Sequence, residues 1–312
     1  MKSKKFFPEE IIFSATGQCN LACPHCFVTK SKTKLSSEKA IKFLETCKGT
    51  TVRKVGFSGG EPFLNLDFLC DVIKYSVDNA FLFDRIMTNG SWWKNSNELK
   101  KALEKIKDAG FDGKIGLSFD SFHGQSLKTI KEFCKTVYEY FDGSTIEIQS
   151  VRTKFSIDIK NIEFLAAFLD CKVESNLDKN TGLGTMILKG KDKFIPVYVT
   201  PQSFKSNDSR AFNSSKWFTD DFCAGPGQIL FVHPNGKIAP CCGFANENEA
   251  LIIGTIEQDF DTVLQQAREN KMVKICYDDG LSTQIKELKK QGISVPGKTD
   301  DICTFCNFIC KL

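Results

Sequence analysis

Cys19, Cys23 and Cys26 set three thiols within one short stretch, Cys19-Asn20-Leu21-Ala22-Cys23-Pro24-His25-Cys26. Three thiolates at this spacing can hold three corners of a [4Fe–4S] cube. The next cysteine is Cys47, which leaves the fourth iron without a nearby protein ligand. An iron with an open position binds a substrate or cofactor, whereas a closed four-cysteine cluster mainly transfers electrons. A structural zinc site is the alternative reading of the triplet. Zinc wants a fourth ligand close by, and His25, directly beside Cys26, is awkwardly placed to close the same site.

Four further stretches carry groups suited to a small polar ligand. Ser58-Gly59-Gly60-Glu61-Pro62 lets backbone approach a ligand closely, and Glu61 or exposed backbone groups can meet an ammonium. Thr88-Asn89-Gly90 is the second stretch. In Ser118-Phe119-Asp120, strand alternation puts Ser118 and Asp120 on one face, where hydroxyl and carboxylate can grip ribose hydroxyls. Gln149 and Arg152 form the fourth, and Arg152 can pair with a carboxylate. Each stretch alone is usually a turn or a strand edge.

The elements that must position these groups alternate between strand-like and helix-like over residues 9–175. Strands are expected at 11–13, 52–58, 83–88, 114–119, 144–151 and 171–174. Helices are expected between them at 37–47, 66–77, 97–109, 126–140 and 161–169. Such repeated units imply right-handed crossovers and a parallel sheet. Six units suit a partial (β/α)6 parallel barrel of the α/β class, whose active site gathers at the C-terminal strand ends. Each of the stretches above falls at such an end. Residues 201–222 are polar and turn-rich, a linker or lid. Beyond them, 228–232 and 237–240 flank His233-Pro234-Asn235-Gly236, a hairpin that delivers Cys241-Cys242. A helix is expected over 259–270, and the tail holds Cys303, Cys306 and Cys310. The domains expected are therefore 1–200, the barrel; 201–222, the linker; and 223–312, a small cysteine-rich iron–sulfur domain.

Composition narrows the class. The 312 residues are 41% hydrophobic and 26% charged, as in an ordinary globular protein. A net charge of +4 predicts no strong field for nucleic acid or membrane. The N-terminus lacks a signal-peptide apolar region, and no stretch has the length of a membrane span. Fourteen cysteines without an export signal point to metal ligation in a reducing cytoplasm, not to a disulfide framework. Three histidines suggest no histidine-based triad. Trp92-Trp93 and Cys47, Cys70, Cys134 and Cys171 read as core, and Asp208, Asp220 and Asp221 as solvated.

The cysteine triplet and the ordered strand-end stretches resemble the radical S-adenosylmethionine (radical SAM) enzymes over about residues 9–175. The resemblance implies that the open iron chelates the amine and carboxylate of SAM, and that one-electron reduction cleaves SAM to a 5′-deoxyadenosyl radical. It makes Gly59, Gly60, Glu61 and Pro62 the amine-binding motif, with Asn89, Ser118, Asp120, Gln149 and Arg152 as further cofactor contacts. His25 departs mildly from the aromatic residue common before the last cysteine.

The C-terminal part resembles the family's auxiliary-cluster extensions, SPASM when long and twitch when short. Cys223, Gly236 and Cys241 match the opening of that pattern, and Gly254-Thr255-Ile256 with the following helix match its continuation. The full version has seven cysteines and two extra clusters, whereas here only Lys311 and Leu312 follow Cys310. One auxiliary [4Fe–4S] cluster is therefore expected, two clusters in all, with Cys303, Cys306 and Cys310 joined most simply by Cys241. Cys242 and Cys276 are weaker candidates, either for the fourth ligand or for a hydrogen donor. Cys223 is then either a spare thiol, able to give a hydrogen atom to a carbon radical, or itself a ligand.

The short extension, single auxiliary cluster and spare thiol are similar to radical SAM peptide epimerases. That resemblance implies a precursor peptide as substrate, Cys223 as hydrogen donor, an auxiliary cluster that helps restore the thiol, and an electron donor such as flavodoxin or ferredoxin. A peptide-crosslinking maturase and a small-molecule epimerase or dehydrogenase are the enzymatic alternatives; a non-catalytic metal-binding module is the other class. With about ten residues before the first strand, a peptide is expected to bind the barrel cleft directly or to arrive on a separate protein.

Overall fold

The computed structural model describes residues 6–152, 159–179, 182–223 and 228–312. In chain order the elements are β1 (Glu10–Ser14), α1 (Ser37–Cys47), β2 (Lys54–Ser58), α2 (Leu66–Asp78), β3 (Leu82–Thr88), α3 (Ser96–Asp108), β4 (Lys114–Ser118), α4 (Leu127–Tyr140), β5 (Ile146–Arg152) and α5 (Lys160–Phe168). There follow β6 (Lys172–Leu177), β7 (Gly184–Lys189), β8 (Phe194–Pro201), β9 (Ile229–Val232), β10 (Lys237–Ala239), β11 (Gly254–Thr255), α6 (Phe260–Glu269), α7 (Lys271–Lys274), α8 (Leu281–Lys290) and α9 (Ile302–Ile309). They pack as two compact units that are discontinuous in sequence. One comprises Ser14–Ser37 and Lys54–Gln202; the other comprises Met1–Phe13, Glu38–Arg53 and Ser203–Leu312.

The first unit has the expected α/β architecture with a parallel-dominant sheet. β2, β3, β4 and β5 pair in parallel, each with the next. Their side chains sort by alternation. Ile86, Ile115, Leu117, Ile146, Ile148 and Val197 share one fully buried face. Phe133 of α4 meets Leu117 over Gly90 on that side. The opposite face carries Arg85, Met87, Gly116, Ser118, Glu147 and Gln149. Asn95 and Ser126 cap α3 and α4 with side-chain oxygens on the third following amide.

One strand departs from the expected pattern. The segment after α5 does not extend the parallel array. β8 takes that place, in parallel with β5, while β7 and β6 fold back antiparallel at its side. The reason is connection length: β6 to β7 and β7 to β8 are hairpins, too short for a parallel crossover.

In the second unit β1 pairs in parallel with β9, Glu10 beside Ile229 through Phe13 beside Val232. β9 and β10 form the expected hairpin, closed by His233 N–H to Lys237 O at 2.8 Å, with Gly236 at φ +84°. β11 extends it antiparallel. Phe13, Phe43 and Phe305 are fully buried here, each contributing about 1.5–3 kcal/mol of apolar burial. Asp221, read from sequence as solvated, instead caps α8: its carbonyl and Oδ1 accept the Leu281 and Ser282 amides.

Candidate functional site

The cysteine loop is clamped at its base. Thr16 and Lys34 form an antiparallel bridge, and Gly17 exchanges backbone bonds with Thr33 (3.0 Å) and Ser31 (3.1 Å). The Gly-Gly-Glu segment clamps it from the other side. Gly60 N–H reaches Thr16 O at 2.8 Å and Glu61 N–H reaches Gln18 O at 2.7 Å, one residue before Cys19. A Cβ on Gly60 would lie 2.0 Å from the Gln18 carbonyl oxygen; Gly59 has φ +133°, with Thr16 O 2.7 Å from a Cβ. Both glycines are therefore required by the close approach. Within the loop Cys19 and Cys23 are half-buried and Cys26 is exposed. Burial raises the Cys19 thiol, and burial with the neighbouring Cys26 and Cys19 pushes Cys23 up to about 11.

Glu61 turns its carboxylate inward. It is fully buried and accepts Thr88 Oγ1 (2.8 Å), Asn89 N–H (2.8 Å) and Phe63 N–H (3.3 Å). It thus ties the Gly-Gly-Glu-Pro turn to the end of β3, and Pro62 opens the short helix that Glu61 caps. The Glu61 carboxylate, one of the two options that the sequence leaves open for an ammonium, is thus engaged by the protein itself. Asn89 carries the tie onward: Nδ2 reaches Asn20 Oδ1 at 2.9 Å and lies 3.7 Å from Cys19 Sγ.

At the end of β4, Gln125 supplies a brace with no signal in the sequence. Its Nε2 donates to Asn89 O (2.5 Å) and Ser118 O (2.7 Å), joining two strand ends. Asp120 is occupied by the protein: Oδ1 accepts the Phe122 amide (2.9 Å) and the His123 ring (2.7 Å), and Oδ2 accepts the Val151 amide (3.1 Å). Burial opposes its ionisation, but the His123 ring and the Val151 amide outweigh it and hold its pKa below the ordinary value. Ser118 and Gln149 stand in register on one face, half-buried. Arg152 is buried and, by alternation, falls on the face opposite Gln149. His25 stacks edge-on to His123, ring centroids 4.8 Å apart, so the residue before Cys26 faces the Asp120 corner.

A second cluster of thiols lies in the unit containing the C-terminus. α9 presents Cys303 and Cys306 at helical spacing, with Cys310 at its C-cap. Asp301 caps it through the Cys303 amide at 2.8 Å. Cys223, Cys241, Cys276, Cys303 and Cys306 line one apolar cavity with Pro240, Ala245, Leu251 and Tyr277. A Cβ on Gly243 would stand 3.0 Å from Cys303 Sγ and 4.0 Å from Cys241 Sγ, so glycine keeps the space beside them clear. Cys276 Sγ lies 4.0 Å from Cys306 Sγ, and Cys223 N–H donates to Cys276 O at 2.9 Å. The Tyr277 hydroxyl shares a hydrogen bond with the Cys223 thiol and donates to Pro240 O at 3.3 Å. The Cys310 amide donates to Cys306 O at 3.0 Å, and Cys310 is not among the thiols lining the cavity. Of the cysteines read as core, Cys47 and Cys134 are fully buried, and Cys70 and Cys171 are half-buried.

Comparison with known proteins identifies two domains in the chain. Residues 13–143 match the radical SAM superfamily, and residues 223–307 match SPASM, an iron–sulfur cluster-binding domain. The chain is a radical SAM protein with a SPASM domain. It is similar to YydG of Bacillus subtilis strain 168, a protein named for peptide biosynthesis, at 24% identity over 96% of this chain and 91% of that protein. It is also similar to the GTP 3′,8-cyclase of Helicobacter pylori strain J99, at 24% identity over 85% of this chain and 91% of the cyclase. Among solved structures, native anSMEcpe with bound AdoMet and Cp18Cys peptide shares the fold: TM-score 0.52 and 14% identity, covering 88% of each chain.

The two domains of this radical SAM protein imply SAM and [4Fe–4S] clusters, and the donor sets fit both groups. The Cys19 loop offers three thiols beside two glycines that clear the approach. The SPASM cavity offers thiols in an apolar, glycine-cleared space. No helix among the described residues is long and apolar enough to cross a membrane.

Proposed function

We propose that this radical SAM protein epimerises L- to D-residues in a ribosomally made precursor peptide. The observation that carries the reading is thiol surplus: five cysteines line the SPASM cavity, and one [4Fe–4S] cluster takes four. The similarity to YydG along 96% of the chain supports a peptide substrate. Cys19, Cys23 and Cys26 hold the first cluster, and Cys241, Cys303 and Cys306 with a fourth thiol hold the second. Gly59 and Gly60 backbone, Asn89, Ser118 and Gln149 contact SAM, while Glu61, Pro62 and Asp120 fix the turns that present them; Arg152, on the other face of β5, is not among these contacts. When bound, SAM and the first cluster supply, for one electron, a radical that takes the hydrogen from a substrate Cα.

Cys223 acts on the opposite face. Its S–H bond breaks, a Cα–H bond forms with inverted configuration, and sulfur keeps one unpaired electron. One electron from a flavodoxin- or ferredoxin-type donor and one proton from solvent restore the thiol. Tyr277, hydrogen-bonded to Cys223, holds that sulfur in place.

The test is turnover in D₂O with anaerobically reconstituted enzyme, dithionite, SAM and precursor peptides encoded beside the gene. One deuterium at a Cα of D configuration is expected. The Cys223→Ala variant is expected to cleave SAM and return no deuterium to an inverted centre. A product that has lost two hydrogens and gained no deuterium would replace this reading with crosslinking.

A further inference from the structure

We infer that Cys276 is an iron ligand of the SPASM-domain cluster, completing a set of four with Cys241, Cys303 and Cys306, and that Cys310 stands outside it. The inference rests on the reading of Cys223 as the hydrogen donor, not an iron ligand, of this cavity.

Spacing does not single out Cys276, which belongs to no run of cysteines. The backbone does. Residues Ile275–Asp279 form a π-helical turn directly after α7, and Ile275, Cys276 and Tyr277 are all buried. Three successive buried residues do not fit the single apolar stripe of a surface helix. Widening the turn lets Cys276 and Tyr277 both line the cavity, and π-turns concentrate at functional sites. Two contacts fix the result. Cys276 Sγ faces Cys306 Sγ at 4.0 Å, and the Cys276 carbonyl accepts the Cys223 amide at 2.9 Å.

The cavity thiols then separate by partner. Cys241 and Cys303 flank the space kept open by Gly243. Cys306 and Cys276 face one another. Cys223 is engaged by the Tyr277 hydroxyl. Cys310, one helical turn beyond Cys306, donates its amide to the Cys306 carbonyl at 3.0 Å and does not line the cavity. Four thiols thus remain for four irons, and the fifth keeps a hydrogen-bonding partner.

The experiment uses the full chain with Cys19, Cys23 and Cys26 all changed to Ala, reconstituted anaerobically with iron and sulfide alone. Iron per chain and the EPR spectrum of the reduced cluster are read. The parent is expected to hold about four irons. Adding Cys276→Ala is expected to remove most of that iron, while Cys310→Ala and Cys223→Ala keep it. Cys276→Ser is expected to shift the EPR g-values, a change of ligand atom that loss of packing does not produce. Folding is checked with Cys276→Ala in the otherwise native chain, which is expected to retain about four irons at its first site. Full iron and an unchanged spectrum in Cys276→Ala would overturn the inference, as would loss of iron in Cys310→Ala. Loss of iron in Cys223→Ala would instead remove the donor reading and, with it, this ligand set. No peptide enters the measurement, so failure of the epimerase reading in D₂O is scored separately.

Discussion

At Gly60 the chain has no room for a side chain, because the Gln18 carbonyl occupies the Cβ position. Gly60→Ala is expected to push the Cys19 loop off its clamp and to cost about half of the iron of a two-cluster protein. Iron analysis against a Lys101→Ala control, an exposed position of α3, checks it. Glu61 gives a pH signature. Burial lifts its carboxyl to about 7 from an ordinary 4.5, although three donors pull the other way. Between those values the unfolded chain releases this proton while the fold retains it. The contribution to stability is therefore full below pH 4.5 and declines as pH rises to 7, by at most about 3 kcal/mol. Glu61→Gln does not titrate, so its melting temperature should lack this part of the slope; parallel profiles for the two proteins would refute it. Gln125→Ala removes the brace between β3 and β4 and is expected to weaken SAM binding about tenfold, near 1.4 kcal/mol, as read by calorimetry on reconstituted protein. The cysteine triplet and the glycines are legible in sequence because their chemistry admits few substitutes. Gln125 is not, since an amide in a loop has no spacing rule and its role exists only once two strand ends meet.

Among the elements, the strand–helix alternation to α5 is legible because each element is long enough to show its period. β7 and β8 are not: they fall beyond the last unit expected, and nothing in their composition separates an antiparallel hairpin from one more crossover. The cysteine-rich tail hides a helix for a related reason. Thiols at positions 303, 306 and 310 read first as ligands, yet that spacing also describes one face of α9. α9 is anchored by Asn307, whose Oδ1 accepts the amide (3.0 Å) and hydroxyl (2.8 Å) of Ser206 and which is 4% exposed. Asn307→Ala leaves two donors unmet and is expected to destabilise by about 1–3 kcal/mol. Calorimetric unfolding of reconstituted protein checks this, with Asn307→Asp, which keeps an acceptor oxygen for both donors, expected to lose less.

For the whole molecule, the two thiol sets belong to different compact units: Cys19, Cys23 and Cys26 to one, and the seven cysteines from Cys223 onward to the other. Changes in separate units combine additively when they share no partners. Cys303→Ala is therefore expected to lower iron to about four per chain while SAM cleavage persists. Loss of SAM cleavage together with the remaining iron would refute independent loading. The expected domain limits follow the chain in order, as a linear reading must. The units do not, because β1 and α1 belong with segments from the far end, a partnership that no local pattern encodes.

The parallel pairing of β1 with β9 also sets a clock on biosynthesis. Glu10 leaves the ribosome 219 residues ahead of its partner Ile229, a wait of about 10–45 s at typical elongation rates. All of the unit that carries the Cys19 loop lies before Ser203, so its strands are complete while the last third of the chain is still unmade. The Cys19, Cys23 and Cys26 thiols therefore stand in a unit whose every segment is made before any SPASM thiol, the last of which is Cys310.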